Sequence, residues 1–141
     1  MNDNKIVYAV AKDRKLPLFF MRDSLCVYKL KFENNRVYEY EEFCIENIES
    51  SKWIELNKIF CVTSGDITYY ILIPKNNMLY NSFIFSYRKP KLNLRIIGRQ
   101  LSRPDTVNED VDIVTTPIKR IEKIADNLYK ITTGHVYFAI C

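Results

Sequence analysis

The segment KIFCVTSGDITYYILI, residues 58–73, decides the fold class that we expect for this chain. Two runs rich in Ile, Val, Tyr and Thr flank the tripeptide Ser64-Gly65-Asp66, and such residues favour pleated strands joined by a short turn. Pro74 ends the second run, because proline fixes its own φ and has no N–H to donate. The segment therefore predicts a β-hairpin.

Short alternating runs of this kind recur at a spacing of roughly ten residues. Asn34-Asn35 and Thr133-Gly134-His135 each separate two such runs, and asparagine tolerates the positive φ of a tight turn. The best helix candidate is Phe43–Leu56, and no βαβ unit or exact internal repeat is evident. We therefore expect a mainly β fold: an antiparallel barrel or sandwich of short strands and hairpins, with at most one or two short helices. The other strand candidates include Lys5–Ala11, Ser24–Glu33, Arg36–Glu42, Ser82–Arg88, Leu92–Ile97, Val111–Thr115, Ile118–Lys123, Leu128–Thr132 and Val136–Ile140.

The size and composition of the chain fit one globular domain. It has 141 residues, of which 48% are apolar and 27% charged, so a disordered or fibrous chain is not expected. We expect a single domain over residues 1–141, with 1–89 and 90–141 as candidate sub-modules. No long apolar run and no secretory leader is evident, so we expect a cytoplasmic protein with no membrane as partner. The four cysteines form no CxxC pair and are expected to be buried, reduced thiols.

Positive charge is concentrated in one part of the chain. Residues 1–60 carry ten Lys or Arg and ten Asp or Glu, which cancel. Residues 75–103 carry seven Lys or Arg and no carboxylate. An acidic stretch follows directly, with Asp105, Glu109, Asp110 and Asp112.

Three arginines in the basic stretch recur at a regular spacing. Arg95, Arg99 and Arg103 are four residues apart, which keeps side chains on one face of a strand or about one turn apart on a helix. Guanidinium groups bind phosphate oxygens in bidentate fashion, and Tyr87, beside Arg88, offers a face for stacking on a base. The pattern thus predicts an anion-binding face.

A second interpretation of the same residues stays open. The arginines could form a solvated face whose charges pair with the acidic stretch just downstream, each pair contributing at most about 1 kcal/mol. A surface that binds duplex nucleic acid usually carries a larger basic excess than the net charge of +4 here. A compact phosphorylated ligand therefore fits the anion-binding face better than long nucleic acid.

The sequence contains none of the common catalytic signatures. G-x-S-x-G, the phosphate-loop pattern, G-x-G-x-x-G and H-E-x-x-H are all absent, and the single histidine, His135, lies beside a predicted turn. We therefore expect a protein that is not an enzyme, with no cofactor and no metal.

Four pieces of the last third of the chain form a recognisable pattern: Gly98, Arg103-Pro104, Ile113–Ile118 and Ile131–Tyr137. Through this pattern, residues 94–140 resemble a C-terminal β-hairpin module of small phage and prophage proteins. Some proteins with this module act as Thoeris anti-defence sponges, which sequester cyclic ADP-ribose-type signals without cleaving them. The resemblance implies a phage-type protein of the host cytoplasm. The hydroxyls of Thr115 and Thr116, in the matching segment, can bond nearby backbone.

These observations combine into one leading hypothesis and two alternatives. The leading hypothesis is a non-enzymatic, homo-oligomeric anti-defence protein that sequesters a phosphorylated nucleotide signal. The alternatives are a protein-binding inhibitor of a host defence complex, similar to anti-CRISPR factors, and a small β-barrel that binds RNA or single strands. The candidate ligand-binding residues are Tyr87, Arg88, Arg95, Arg99, Arg103, Thr115 and Thr116.

Overall fold

The mainly β fold expected from the sequence is confirmed. The computed structural model describes residues 5–12, 24–34, 37–73, 83–101 and 112–141, and within them it contains strands and no helix. Because none of these segments is helical, none of them supplies a long apolar helix that could cross a bilayer. The strands are β1 (Lys5–Ala11), β2 (Leu25–Asn34), β3 (Val37–Ile45), β4 (Ser50–Glu55), β5 (Ile59–Ser64), β6 (Ile67–Leu72), β7 (Phe83–Ser86), β8 (Ile97–Gln100), β9 (Asp112–Val114), β10 (Arg120–Ala125), β11 (Leu128–Thr132) and β12 (Val136–Ile140).

The strands form two six-stranded sheets with the same topology. The first sheet has the order β3-β2-β1-β6-β5-β4, and the second, read from its other edge, has the order β9-β8-β7-β12-β11-β10. The central pairs, β1 with β6 and β7 with β12, are parallel. Each sheet thus joins two three-stranded meanders through its first and last strands. The second half of the chain repeats the first at the level of strand order, which the sequence did not reveal.

The repeat extends to individual residues at the edge hairpins. β4 pairs with β5 through a β-bulge at Ile54, and β10 pairs with β11 through a β-bulge at Ile124. The turn after each bulge contains an asparagine with positive φ, 62° at Asn57 and 65° at Asn127. Asparagine adopts this conformation at low cost, so both turns have suitable residues.

Each sheet also has its own hydrophobic core at equivalent positions. In the central parallel pair, Ala9 lies opposite Ile71 in the first sheet, and Ile84 lies opposite Ala139 in the second. All four side chains are fully buried. The large and the small residue have exchanged places, which keeps the packed volume similar. The first core further contains Ala11, Leu25, Val27, Ile45, Phe60, Val62 and Tyr69, and the second Ile96, Ile118 and Ile131.

The chain divides into two compact units that follow the two sheets closely. The first unit comprises Met1–Lys31, Glu39–Asn76 and Arg103–Asp105, and the second Phe32–Tyr38, Asn77–Ser102 and Thr106–Cys141.

Two turns predicted from the sequence are confirmed, and one predicted helix is wrong. Strands flank Gly65, which has a φ of 61°, and strands flank Thr133-Gly134-His135. The predicted helix Phe43–Leu56 instead forms the end of β3, a turn and β4. Asn47 has a φ of 54° there, a left-handed conformation that interrupts any right-handed helix. The predicted turn at Asn34-Asn35 lies partly outside the described residues.

The predicted strand Leu92–Ile97 is also wrong over most of its length, because β8 begins only at Ile97. Asn93 has a φ of 68°, and its N–H donates to the Ile118 carbonyl at 2.9 Å. The Ile118 N–H in turn donates to the Leu94 carbonyl at 2.9 Å. The segment is therefore a loop held against the chain that follows β9.

The expectation of four reduced thiols is wrong for two of them. Cys26 on β2 and Cys44 on β3 form a disulfide, and both residues are exposed. Spacing alone could not reveal this bond, because it joins neighbouring strands at a sequence separation of 18. Cys61 and Cys141 are free; Cys61 is buried, as expected, and Cys141 is half-buried. Burial raises the pKa of both free thiols.

Candidate functional site: a basic cavity beside the loop between β7 and β8

The second unit contains a cavity of about 600 Å³, which we call the basic cavity. It lies where the chain leaves β7 and returns to β8. Its walls combine cationic, aliphatic and proline residues, and no carboxylate or imidazole is among the described residues that line it. The lining residues are Ser86, Arg88, Lys89, Pro90, Lys91, Asn93, Leu94, Arg95, Ile96, Ile97 and Pro117.

Backbone and hydroxyl hydrogen bonds hold the walls of the basic cavity in place. The buried Ser86 hydroxyl donates to the Arg88 carbonyl at 2.5 Å. The bonds that join Asn93 and Leu94 to Ile118 hold the far side of the loop. Proline at position 90 fixes its own φ, which limits the conformations of the loop further. The cavity is therefore formed by a braced loop.

Four cationic side chains line the basic cavity: Arg88, Lys89, Lys91 and Arg95, all of them exposed. None of the four forms a salt bridge with a carboxylate of the described residues. Arg95 donates from Nη1 to the Thr115 carbonyl at 3.3 Å, which restrains its guanidinium. The charge of the four groups is thus not balanced by any described carboxylate.

Arg99, the second arginine of the predicted row, does not line the basic cavity. It lies on β8, where its Nε is 3.5 Å from Asp112 Oδ1, and the Tyr87 hydroxyl donates to the same oxygen at 2.8 Å. Partial burial and this hydrogen bond raise the pKa of Tyr87. Arg99 is therefore paired with a downstream carboxylate, which is the arrangement that the second interpretation of the sequence described.

The row of three arginines is therefore not a single set in the described residues. Arg95 lines the basic cavity, Arg99 pairs with Asp112, and Arg103 lies outside the described residues. Arg95 precedes β8, so the regular spacing does not run along one strand. Of the seven candidate ligand-binding residues, Arg88 and Arg95 are brought together at the basic cavity.

The two candidate threonines have different environments. The Thr115 hydroxyl is buried, accepts a hydrogen bond from the Ile96 N–H at 3.0 Å, and donates to the Thr116 carbonyl at 2.8 Å. It thus bonds nearby backbone, as the sequence suggested, and links the end of β9 to the start of β8. Thr116 is exposed and does not line the cavity.

Sequence reasoning missed four lining residues that carry much of the character of the cavity. Lys89 and Lys91 lie in the basic stretch, but they fall outside the four-residue spacing that selected the arginines. The strand prediction for Leu92–Ile97 gives no reason to place Leu94 and Ile97 at a site, yet both are exposed at the cavity, Leu94 in the loop and Ile97 as the first residue of β8. The signal that could have found them is the density of cations on both sides of Pro90, in a segment without carboxylates.

The basic cavity can bind and orient an anion. Several cations around one concave surface strengthen each other's attraction for a phosphate, and charge-assisted hydrogen bonds are about twice as strong as neutral ones. Within the described segments, no three His, Cys, Asp or Glu side chains gather as metal ligands would.

Comparison with protein-family profiles, with curated proteins and with solved structures finds no match.

Proposed function

We propose that the chain is a non-enzymatic, phage-type anti-defence protein that sequesters a phosphorylated nucleotide immune signal in the basic cavity. The observation that supports the proposal is the set of four cations, Arg88, Lys89, Lys91 and Arg95, lining one cavity without a carboxylate among them. A phosphate or pyrophosphate group would neutralise this excess charge. The volume of about 600 Å³ falls within the range typical of small-molecule sites, about 300–1,000 Å³.

The chemistry of the lining favours sequestration over turnover. General acid–base catalysis requires a titratable group within hydrogen-bond reach of the reacting atom. The described lining offers guanidinium and ammonium groups but no carboxylate and no imidazole, and its one hydroxyl, that of Ser86, already donates to a backbone carbonyl. A ligand would therefore be held by charge and shape and released unchanged.

The proposal includes a location and an assembly state. It assigns the protein to the cytoplasm of a bacterial host, where a nucleotide signal is produced, and it expects a homo-oligomer, since ligand sites often lie near subunit contacts. Size-exclusion chromatography with light scattering tests the second point. A mass above that of the 16.8 kDa chain supports it, and a monomeric mass overturns it.

Direct binding measurements test the ligand class. Equilibrium dialysis against ADP-ribose, cyclic ADP-ribose and AMP should show saturable binding of at least one of them. Arg95→Ala and Lys91→Ala should each weaken it about tenfold, the loss expected for one charged hydrogen bond at about 1.5 kcal/mol. Lys52→Ala is the matched control, because it removes the same charge from an exposed position on β4 of the other sheet.

Release of the ligand separates a binding protein from an enzyme. Heating the complex should return the ligand with its mass unchanged, and recovery of a cleaved product would overturn the non-enzymatic assignment. Native mass spectrometry after incubation with host extract addresses the two alternatives. A protein adduct that survives Arg95→Ala would favour a protein-binding inhibitor, and a steeply salt-dependent oligonucleotide adduct would favour single-strand binding.

A further inference from the structure

One side of the basic cavity is apolar and exposed. Leu94 and Ile97 line it with 55% and 42% of their surface accessible. Ile97 lies directly opposite Val114 of β9, which is 60% exposed. Side chains directly opposite each other on neighbouring strands are in contact range. The two strands thus present an aliphatic surface next to the cations.

The first sheet has no exposed aliphatic pair at the positions equivalent to Ile97 and Val114. Ala11 follows Ala9 by two residues on β1, and Ser86 follows Ile84, the equivalent of Ala9, by two residues on β7. Ala11 pairs with Val27, and Ser86 pairs with Gly98, so these two pairs are equivalent. The residue before Val27 is Cys26, which is bonded to Cys44, and the residue before Gly98 is Ile97. The disulfide of the first sheet therefore corresponds to the pair of Ile97 and Val114 in the second.

We infer that Leu94, Ile97 and Val114 form an apolar subsite for the organic part of the ligand whose phosphate the cations hold. The inference rests on the proposed function and deepens it, because it assigns the flat face of the nucleobase, which is less polar than its edges, to these three side chains. Compact polar anions are excluded as preferred ligands, because they would leave the aliphatic surface in water. Burial of that surface supplies binding energy that charge alone does not.

The position of the subsite fits one continuous ligand. Arg95 lies between Leu94 and Ile97 in sequence, and all three line the same cavity. A phosphate held by Arg95 would have its attached group within reach of both aliphatic side chains. Because Arg95 also donates to the Thr115 carbonyl, its guanidinium is restrained beside the aliphatic surface.

A matched pair of probes tests the subsite. AMP and ribose 5-phosphate share the sugar and the phosphate and differ in the nucleobase, so their affinity ratio isolates the apolar contribution. We expect AMP to bind about tenfold or more tightly by NMR titration. Ile97→Ser and Val114→Thr should bring that ratio towards one and leave the affinity for ribose 5-phosphate unchanged. Leu56→Ser, at an exposed residue of the turn between β4 and β5, is the control and should keep the ratio.

The outcomes separate failure of the subsite from failure of the proposed function. Equal affinity for the two probes, or a ratio that Ile97→Ser does not lower, overturns the apolar subsite and leaves anion binding intact. Absence of binding by both probes at millimolar concentration overturns the subsite and counts against the basic cavity as a nucleotide site. Circular dichroism confirms that each variant retains its β structure.

Discussion

The two six-stranded sheets share one strand order but differ in what their equivalent positions carry. The first sheet has a disulfide where the second has the exposed pair Ile97 and Val114. Residues 1–73 hold ten Lys or Arg and eleven Asp or Glu, whereas residues 74–141 hold eleven and six. The same scaffold therefore occurs with a cross-link in the nearly neutral first half of the chain and with a cationic cavity in the second half. Topology alone does not indicate function here; the surface and loop residues do.

Substitutions at the central pair of Ile84 and Ala139, where a large and a small residue have exchanged places relative to the first sheet, should change the unfolding free energy most. Ile84→Ala should cost about 4 kcal/mol of unfolding free energy, because it leaves a cavity beside Ala139. Ala139→Ile alone should cost about 2 kcal/mol through overpacking. The double variant reproduces the arrangement of Ala9 and Ile71 and should recover part of both losses. Chemical denaturation measures all three, and strictly additive losses would contradict equivalent packing in the two sheets.

Loss of the disulfide should have the next largest effect. Cys26→Ser with Cys44→Ser should lower the unfolding free energy by about 3 kcal/mol, the value expected for a loop with a sequence separation of 18. Wild-type protein in excess reductant should denature at the same midpoint as the double variant. Cys141→Ser, which removes a free thiol, serves as the control. A double variant as stable as the oxidised wild type would show that the bond adds nothing to the first sheet.

Gly98 should tolerate no side chain, although its equivalent in the first sheet is Val27. A Cβ at position 98 would lie 2.3 Å from the Phe85 carbonyl oxygen, so the backbone of β7 would have to move. Gly98→Ala should therefore cost about 2–3 kcal/mol. Gly134→Ala is the matched control, because a Cβ there meets nothing within 4 Å. Equal midpoints for the two variants in thermal denaturation would argue against close approach of β7 and β8.

The two asparagines with positive φ should behave alike because each adopts the left-handed conformation in the turn of an edge hairpin, although the turn of Asn57 is one residue longer than the turn of Asn127. Asn57→Ala and Asn127→Ala should each cost about 1 kcal/mol, since alanine is disfavoured in the left-handed region. Asn57→Gly and Asn127→Gly should be close to neutral, because glycine adopts this conformation freely. Urea denaturation of the four variants gives the comparison. A marked loss in only one of the two turns would contradict a shared role for the left-handed asparagine in the edge hairpins.

The contact of Tyr87 with Asp112 and Arg99, in the second unit, should give the smallest effect. Because the pKa of Tyr87 is raised above 10.0, the folded protein holds this proton more tightly than the unfolded chain does. The resulting stability is present below pH 10 and is lost as pH rises through the raised pKa. Tyr87→Phe should cost about 0.5 kcal/mol at neutral pH and abolish this part of the alkaline loss. Denaturation of wild type and Tyr87→Phe at pH 8 and at pH 11 tests this. An equal loss of unfolding free energy between the two pH values in both proteins would contradict the prediction.

The sequence predicted the local features of the fold well and the long-range ones poorly. The hairpins around Gly65 and Gly134 were predictable, because their turn residues and flanking strands are neighbours in sequence. The parallel pairing of β1 with β6 joins strands about sixty residues apart, and no local pattern encodes it. The repeat was hidden because equivalent positions exchange residues, as Ala9 and Ile84 do.

The candidate site was predictable in charge but not in geometry. The carboxylate-free stretch from 75 to 103 contains the four cations that line the basic cavity. Regular spacing then favoured Arg99 over Lys89 and Lys91, although a neighbouring strand supplies Asp112 to pair with Arg99. The identity of a cross-strand neighbour depends on register, which one sequence does not define.

The bulges at Ile54 and Ile124 have a consequence for how this protein could assemble. β4 and β10 are outer strands of their sheets, where unpaired backbone groups could recruit a strand from another molecule. An incoming strand would lose alignment at the extra residue and would meet the charges of Lys52 on one edge or of Arg120 on the other. Growth of either sheet by strand addition at these two edges is thereby discouraged, so a second copy that docks at β4 or β10 would do so through side chains.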